Sequence, residues 1–140
     1  NSQRKNDPSS SLPDIPVLIL GDFNADPPSK GAVDASSSTE DSAIGRMLLH
    51  HTRDPSNMSI SHNYRSSYPI DDLSTFYTTW KARGTSTVRR VIDYIFYTSE
   101  TLECTATLKT PDDGDLEATR LPGLRYPSDH MMIAAQFRLR

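Results

Sequence analysis

The sequence predicts an α/β protein, on three observations. The run Val17-Leu18-Ile19-Leu20 lies between Pro16 and Gly21. It is short and apolar throughout, as a strand covered on both faces would be. Val91 to Tyr97, VIDYIFY, is aromatic and β-branched and carries the strongest strand signal in the chain. Between the two, Ser37 and Glu40 have capping-box spacing, and Ile44, Met47 and Leu48 then share one helical face.

The remaining elements follow in order. Residues 1–15 are polar, with Ser9, Ser10 and Ser11 between prolines, and read as a disordered lead-in. Asp22 to Pro28 form a polar loop at the end of the first strand, and residues 50–72, rich in His, Asn, Ser and Pro, read as surface loop. Phe76 to Trp80 is an aromatic, β-branched strand. Lys81 to Arg90 is basic, with Lys81, Arg83, Arg89 and Arg90 and no acid, and it turns at Gly84. Leu102 to Lys109 alternates as a strand, Pro111 to Glu117 is an acidic, solvated turn, and Met131 to Phe137 is the last strand.

Composition narrows the function. Of 140 residues, 35% are hydrophobic, and there are ten prolines and six glycines, so much of the chain is loop. No apolar run approaches the roughly 20 residues that cross a bilayer. A single cysteine, Cys104, excludes an internal disulfide and cysteine-based zinc sites. The net charge of −3 removes a bulk basic field for duplex DNA, leaving any nucleic-acid contact to a local patch. The polar opening at Asn1, without methionine or signal peptide, suggests a fragment of a longer chain.

Three segments place acids or amides against strands. Gly21-Asp22-Phe23-Asn24 follows the first strand, where sites of α/β sheets are built. Asp22 can bind a hard cation or orient water, and Asn24 offers an amide to water or phosphate. An Asx-turn leaving the strand explains the same residues. Asp93 stands inside VIDYIFY, where a carboxylate needs a partner such as histidine unless it faces solvent from an edge strand. Tyr126-Pro127-Ser128-Asp129-His130 precedes the last strand, and a turn there can aim an acid at a metal and an imidazole at a phosphate.

In this order the segments resemble the endonuclease/exonuclease/phosphatase (DNase I-like) superfamily, and its CCR4/nocturnin branch in particular. GDFNADPPS is similar to a GDFN-x-x-P-x-S segment, Thr78 to Arg83 (TTWKAR) to TTWK-x-R, and Arg120-Leu121-Pro122 followed by YPSDH to an RLP…PSDH ending. The resemblance implies a four-layer α/β/β/α sandwich with mixed β-sheets, of which residues 16–140 are the C-terminal portion. It implies a hydrolase of phosphate esters of RNA or nucleotides, a 3′-exonuclease or a nucleotide 2′-phosphatase, with Mg²⁺ or Mn²⁺ as cofactor. By the same likeness Asp22 orients the attacking water, Asn24 holds the scissile phosphate, and Asp22 and Asp129 are metal-linked. His130 stabilises the transition state, Asp93 orients His130, and Arg83 faces substrate phosphates. Val88 stands where deadenylases of this type carry a base-stacking aromatic, a departure from the poly(A)-specific pattern. The branch's upstream metal-binding Glu has no counterpart among the residues before Gly21, so the site is expected to be incomplete here.

A half-sandwich would leave strand faces bare. The alternative from another class is a non-catalytic fragment or pseudoenzyme that keeps the fold to bind. No membrane partner is expected, and a larger complex through regions outside the chain is open. The lone cysteine is compatible with a reducing, intracellular and cytoplasmic setting.

Overall fold

The computed structural model describes residues 15–27, 44, 63–70, 76–116, 118 and 120–140, with the side chain of Arg83 outside that set. The element order is β1 (Leu18–Asp22), β2 (Tyr64–Ser66), β3 (Thr79–Arg83), β4 (Ser86–Arg90), β5 (Asp93–Thr98), β6 (Leu102–Thr107), a 3₁₀ turn at Asp113–Asp115 and β7 (Ala135–Leu139).

Strand β5 organises the molecule. It lies between β1 and β2 in a three-stranded sheet, antiparallel to both. Tyr94, Ile95, Phe96 and Thr98 are buried in it, as expected of a strand flanked on two sides. The core around it gathers Ile44, Tyr68, Phe76, Val91, Tyr94, Ile95 and Phe96, with Ile19 and Phe23 packed against them. Phe23 meets Tyr94 and Phe96 edge-on at 5.6 and 5.7 Å between ring centroids, the geometry that ring quadrupoles favour. Strands β3 and β4 form a hairpin whose two-residue loop begins with Gly84 at φ 60°, as a primed hairpin turn with glycine first requires. β6 pairs with β7. A second core holds Tyr77, Leu116, Leu121 and Met131, with Trp80 and Tyr126 against it.

Several expectations change. The first strand is not covered on both faces among the described residues: Ile19 turns to the core, while Leu18 and Leu20, which alternate onto the opposite face, are 45% and 66% exposed. Every pair of described strands is antiparallel, where the resemblance implies mixed sheets. Residues 63–70 are not plain surface loop. They supply β2 and the buried Tyr68, whose hydroxyl donates to a main-chain carbonyl, Leu108 O or Ala134 O, each 2.8 Å away, and accepts from the Ala134 amide at 3.1 Å.

The strand expected at 76–80 begins at Thr79. Phe76, Tyr77 and Thr78 are buried ahead of it. The Val91–Tyr97 strand begins at Asp93, after buried Val91 and Ile92, and the last strand begins at Ala135 rather than Met131. The acidic turn is anchored, not merely solvated: Tyr77 Oη donates to Asp113 Oδ1 at 2.7 Å, Arg89 reaches Asp113 Oδ2 at 2.5 Å, and Leu116 is buried. The expected helix lies outside the described residues except for Ile44, which has helical backbone and is fully buried. The lead-in to residue 14 and His50, His51 and His62 lie outside them as well.

Candidate active site

Antiparallel register brings two carboxylates together. β1 ends at Asp22, β5 begins at Asp93, and the two Cα atoms face each other across the ladder. The chain leaving β1 is held closely. The Phe23 amide donates to Ile92 O at 2.8 Å, Tyr94 Oη can donate to Ala25 O at 2.7 Å, and Arg90 Nε reaches Asp26 Oδ1 at 2.8 Å. Asn24 sits at φ 51°, a left-handed conformation that asparagine tolerates better than most side chains. Its main-chain amide donates to Asp22 Oδ1 at 2.8 Å, and its side-chain amide to Asp22 Oδ2 at 3.3 Å. The Asx-type turn is therefore real, and the same carboxylate stands in an acidic cluster. Asn24 meets Asp22 through this turn, not through the alternation of an extended chain.

His130 arrives from the turn before the last strand. Its Nδ1 lies 2.9 Å from Asp93 Oδ2 and 3.1 Å from Oδ1, and its amide donates to Ser128 Oγ at 3.1 Å. The two side chains are 25% and 15% exposed, so water competes weakly for the contact. An ionised carboxylate only accepts, so beside Asp93 the imidazole carries its proton on Nδ1, and Nε2 remains for other chemistry. Asp22, Asp93 and His130 each offer a ligand atom, all within 4.8 Å of one another. A pocket beside them is lined by Leu20, Gly21, Asp22, Asp93, Tyr94, Ile95, Met131 and Ile133.

Asp129 stands next to this trio. Its Oδ1 is 4.0 Å from His130 Nε2, and its Oδ2 is 2.5 Å from Lys81 Nζ. The hydrogen bond from Lys81 holds the Asp129 carboxyl below the usual carboxylate range, with the charge of Lys81 adding to it. Asp129 is half exposed, so solvent screens much of that effect. Its carbonyl accepts from Thr79 Oγ1 at 2.8 Å.

The structure thus brings together Asp22, Asn24, Asp93 and His130, with Asp129 alongside. Arg83 ends β3, and its side chain is not among the described residues. Arg89 and Arg90 go to different places, as alternation on a strand demands. Arg89 lies over the rings of Tyr77 and Trp80, at 4.4 and 4.0 Å, while Arg90 holds Asp26. Sequence reasoning missed Lys81 as the partner of Asp129, and Thr78 and Thr79 as their neighbours. The run Lys81–Arg90 contains no acid, and the partner of Lys81 lies 48 positions away, so no local signal pointed to it.

The sequence model of the Endonuclease/Exonuclease/phosphatase family matches residues 2–130. The chain is similar to nocturnin of Xenopus laevis, 30% identical over 123 residues that cover 88% of this chain and 27% of that protein. It is 30% identical over 123 residues to nocturnin of Homo sapiens, covering 88% of this chain and 24% of that one. It is 35% identical over 144 residues to the Coccidioides immitis CCR4-Not complex 3'-5'-exoribonuclease subunit Ccr4, covering 94% of this chain and 17% of that one. The chain spans about a quarter or less of the length of these relatives. With the GDFN loop, the VIDYIFY strand and the SDH turn converging as they do, the chain belongs to the Endonuclease/Exonuclease/phosphatase family, with its DNase I-like α/β fold, on the CCR4/nocturnin branch.

Proposed function

We propose that the protein is a divalent-metal-dependent phosphoesterase that hydrolyses phosphate esters of RNA or nucleotides, with Asp22, Asn24, Asp93, Asp129 and His130 in its active site. The observation that carries this reading is the Asp93–His130 pair at 2.9 Å, opposite Asp22 at the joined ends of β1 and β5.

Enzymes of this family generally depend on a divalent cation. The donors here fit one. Mg²⁺ is typically held by one or two carboxylates, keeping water and substrate oxygens as its other ligands. Asp22, in the trio, and Asp129, beside it, are exposed carboxylates, and the nitrogen of His130 nearby also suits Mn²⁺. When bound, such an ion supplies Lewis acidity and eases formation of hydroxide.

The protein's own groups do the rest. Asp22 accepts a hydrogen bond from the attacking water and aims it. Asn24 donates to a phosphate oxygen. His130, with Nδ1 engaged by Asp93, presents Nε2–H as an imidazolium to the charge that builds on the equatorial oxygens. Asp93 holds the ring in register through Nδ1. Arg83, at the end of β3, supplies a fork for further phosphates.

In this reading residues 16–140 are the C-terminal portion of the domain, and a further metal-binding Glu comes from outside them. The substrate is RNA, as the name of the Ccr4 relatives indicates for those proteins, or a nucleotide phosphate. Val88, 37% exposed on β4, offers no ring for base stacking and favours the less poly(A)-restricted choice. Membership of a larger complex follows the same analogy.

The test is to purify the longer protein that carries this chain and to assay poly(A), NADPH and 2′,5′-oligoadenylate with millimolar Mg²⁺ or Mn²⁺. Metal-dependent hydrolysis of at least one substrate, lost in Asp22→Ala and His130→Ala, is expected. Equal release by wild type and both variants would leave a binding module of the same fold as the better reading.

A further inference from the structure

The Asp93–His130 pair joins two segments 37 positions apart, and neither of these two side chains determines how far apart those segments lie. The structure assigns that task to two adjacent buried threonines. Thr78 is 0% and Thr79 2% exposed. The Thr78 hydroxyl lies 3.0 Å from the Ile92 amide and 3.2 Å from the Asp93 amide, accepting from both. These are the last two amides before the side chain of Asp93. The Thr78 carbonyl accepts from the Met131 amide at 2.8 Å, immediately after His130. Thr79 Oγ1 donates to the Asp129 carbonyl at 2.8 Å, immediately before His130. Two consecutive residues therefore grip the main chain of Asp93 on one side and both flanks of His130 on the other.

The chemistry makes the arrangement selective. The hydroxyl of Thr78 stands in for a strand partner at the very start of β5, and it satisfies one buried and one part-buried amide donor. Valine has nearly the same shape and cannot accept at all, whereas serine can. We propose that Thr78 and Thr79 are positioning residues that set the separation of Asp93 and His130, an inference that rests on the phosphoesterase reading for its kinetic consequence but not for its structural one. A merely structural threonine would contribute to stability and leave the imidazole of the surviving folded protein unchanged.

The experiment compares wild type, Thr78→Val, Thr78→Ser and Thr79→Val in the full-length protein, ¹⁵N-labelled at histidine. The ring nitrogens of His130, assigned with His130→Gln, report its tautomer and its bond to Asp93 without any need for turnover. Kinetics are read on whichever phosphoester the wild type hydrolyses. In Thr78→Val, the expected result is loss of the Nδ1–H tautomer preference in the folded protein, with kcat lower by about 100-fold and KM within threefold. Thr78→Ser restores both.

Should Thr78→Val not fold, Thr79→Val carries the test, since its hydroxyl makes one contact, to Asp129. Its expected result is the same change in the ring, less complete. A folded Thr78→Val or Thr79→Val with wild-type ring signals, or a kcat loss that Thr78→Ser does not rescue, overturns the proposal. If the wild type hydrolyses no phosphoester, the phosphoesterase reading fails, and the ring spectra still decide what the threonines do.

Discussion

Replacing Asp93 by Asn tests the core of the site with almost no change of shape. The carboxylate lies 2.9 and 3.1 Å from His130 Nδ1, and both side chains are largely shielded from water. A hydrogen bond to a charged group contributes about 1.5–3 kcal/mol, more than a neutral one. If the bond to the imidazolium is strongest when phosphorus carries its extra charge, its loss raises the barrier by that amount. At 1.36 kcal/mol per tenfold, the expected fall in kcat is about 10- to 150-fold. KM should change little, because Asp93 touches His130 rather than substrate. The assay is initial-rate kinetics of the full-length protein at saturating metal, with thermal unfolding alongside. A folded Asp93→Asn enzyme within twofold of wild type in kcat would refute the reasoning, as would a loss expressed wholly in KM.

Three further outcomes are expected. Lys81→Met removes the donor that holds the Asp129 carboxyl low, so in metal-free protein the carboxyl carbon of Asp129 should titrate at a higher pH by ¹³C NMR. An unmoved titration would mean that the ion pair is not formed in solution. Asp113 is held below its ordinary range, first by the Tyr77 hydroxyl and then by Arg89, while burial above all pushes the Tyr77 phenol up. A depressed carboxyl stabilises above its unfolded value and loses that contribution as pH falls through its folded value. Stability should therefore decline below about pH 4. Asp113→Asn should flatten that decline by under about 1 kcal/mol, because the side chain is 54% exposed. Identical acid unfolding curves for the two proteins would contradict this. Phe23→Ala should cost about 2–3 kcal/mol in chemical denaturation, less than a fully buried Phe, because Phe23 is only partly buried against Tyr94 and Phe96. A loss below about 0.5 kcal/mol would mean that the edge-on contacts are not maintained.

The legible parts of this molecule were those with a local cause. VIDYIFY announced a central strand because its side chains are apolar on both faces, and an Asp inside such a strand needed a partner. A histidine was a candidate partner for the same reason, and the family likeness named His130. Gly84 announced the β3–β4 turn through its backbone freedom. Other features arise from pairing at a distance. Nothing in Tyr64-Arg65-Ser66 marks a strand; the free edge of β5 makes it one. The apolar Val17–Leu20 run reads as doubly covered, and only the packing reveals that Ile19 meets the core while Leu18 and Leu20 face away from it among the described residues. Asp22 and Asn24 were visible, and so was the Asx-turn between them, but the left-handed backbone of Asn24 was not. The grip of Lys81 on Asp129, and of Thr78 on Asp93, needed the fold itself. The metal ligation and substrate roles proposed for Asp22, Asn24, Asp129 and Arg83 were legible only through the family likeness.

The loop after β1 is fastened at Phe23 to Ile92, at Ala25 to Tyr94, and at Asp26 to Arg90. The three anchors lie within residues 90–94, from the last residue of β4 to the second of the central strand. The acid at the end of β1 therefore cannot drift from the acid at the start of β5 while that segment remains in place. On heating, the site should not loosen ahead of the rest: its geometry and the central sheet belong to one cooperative unit and melt together.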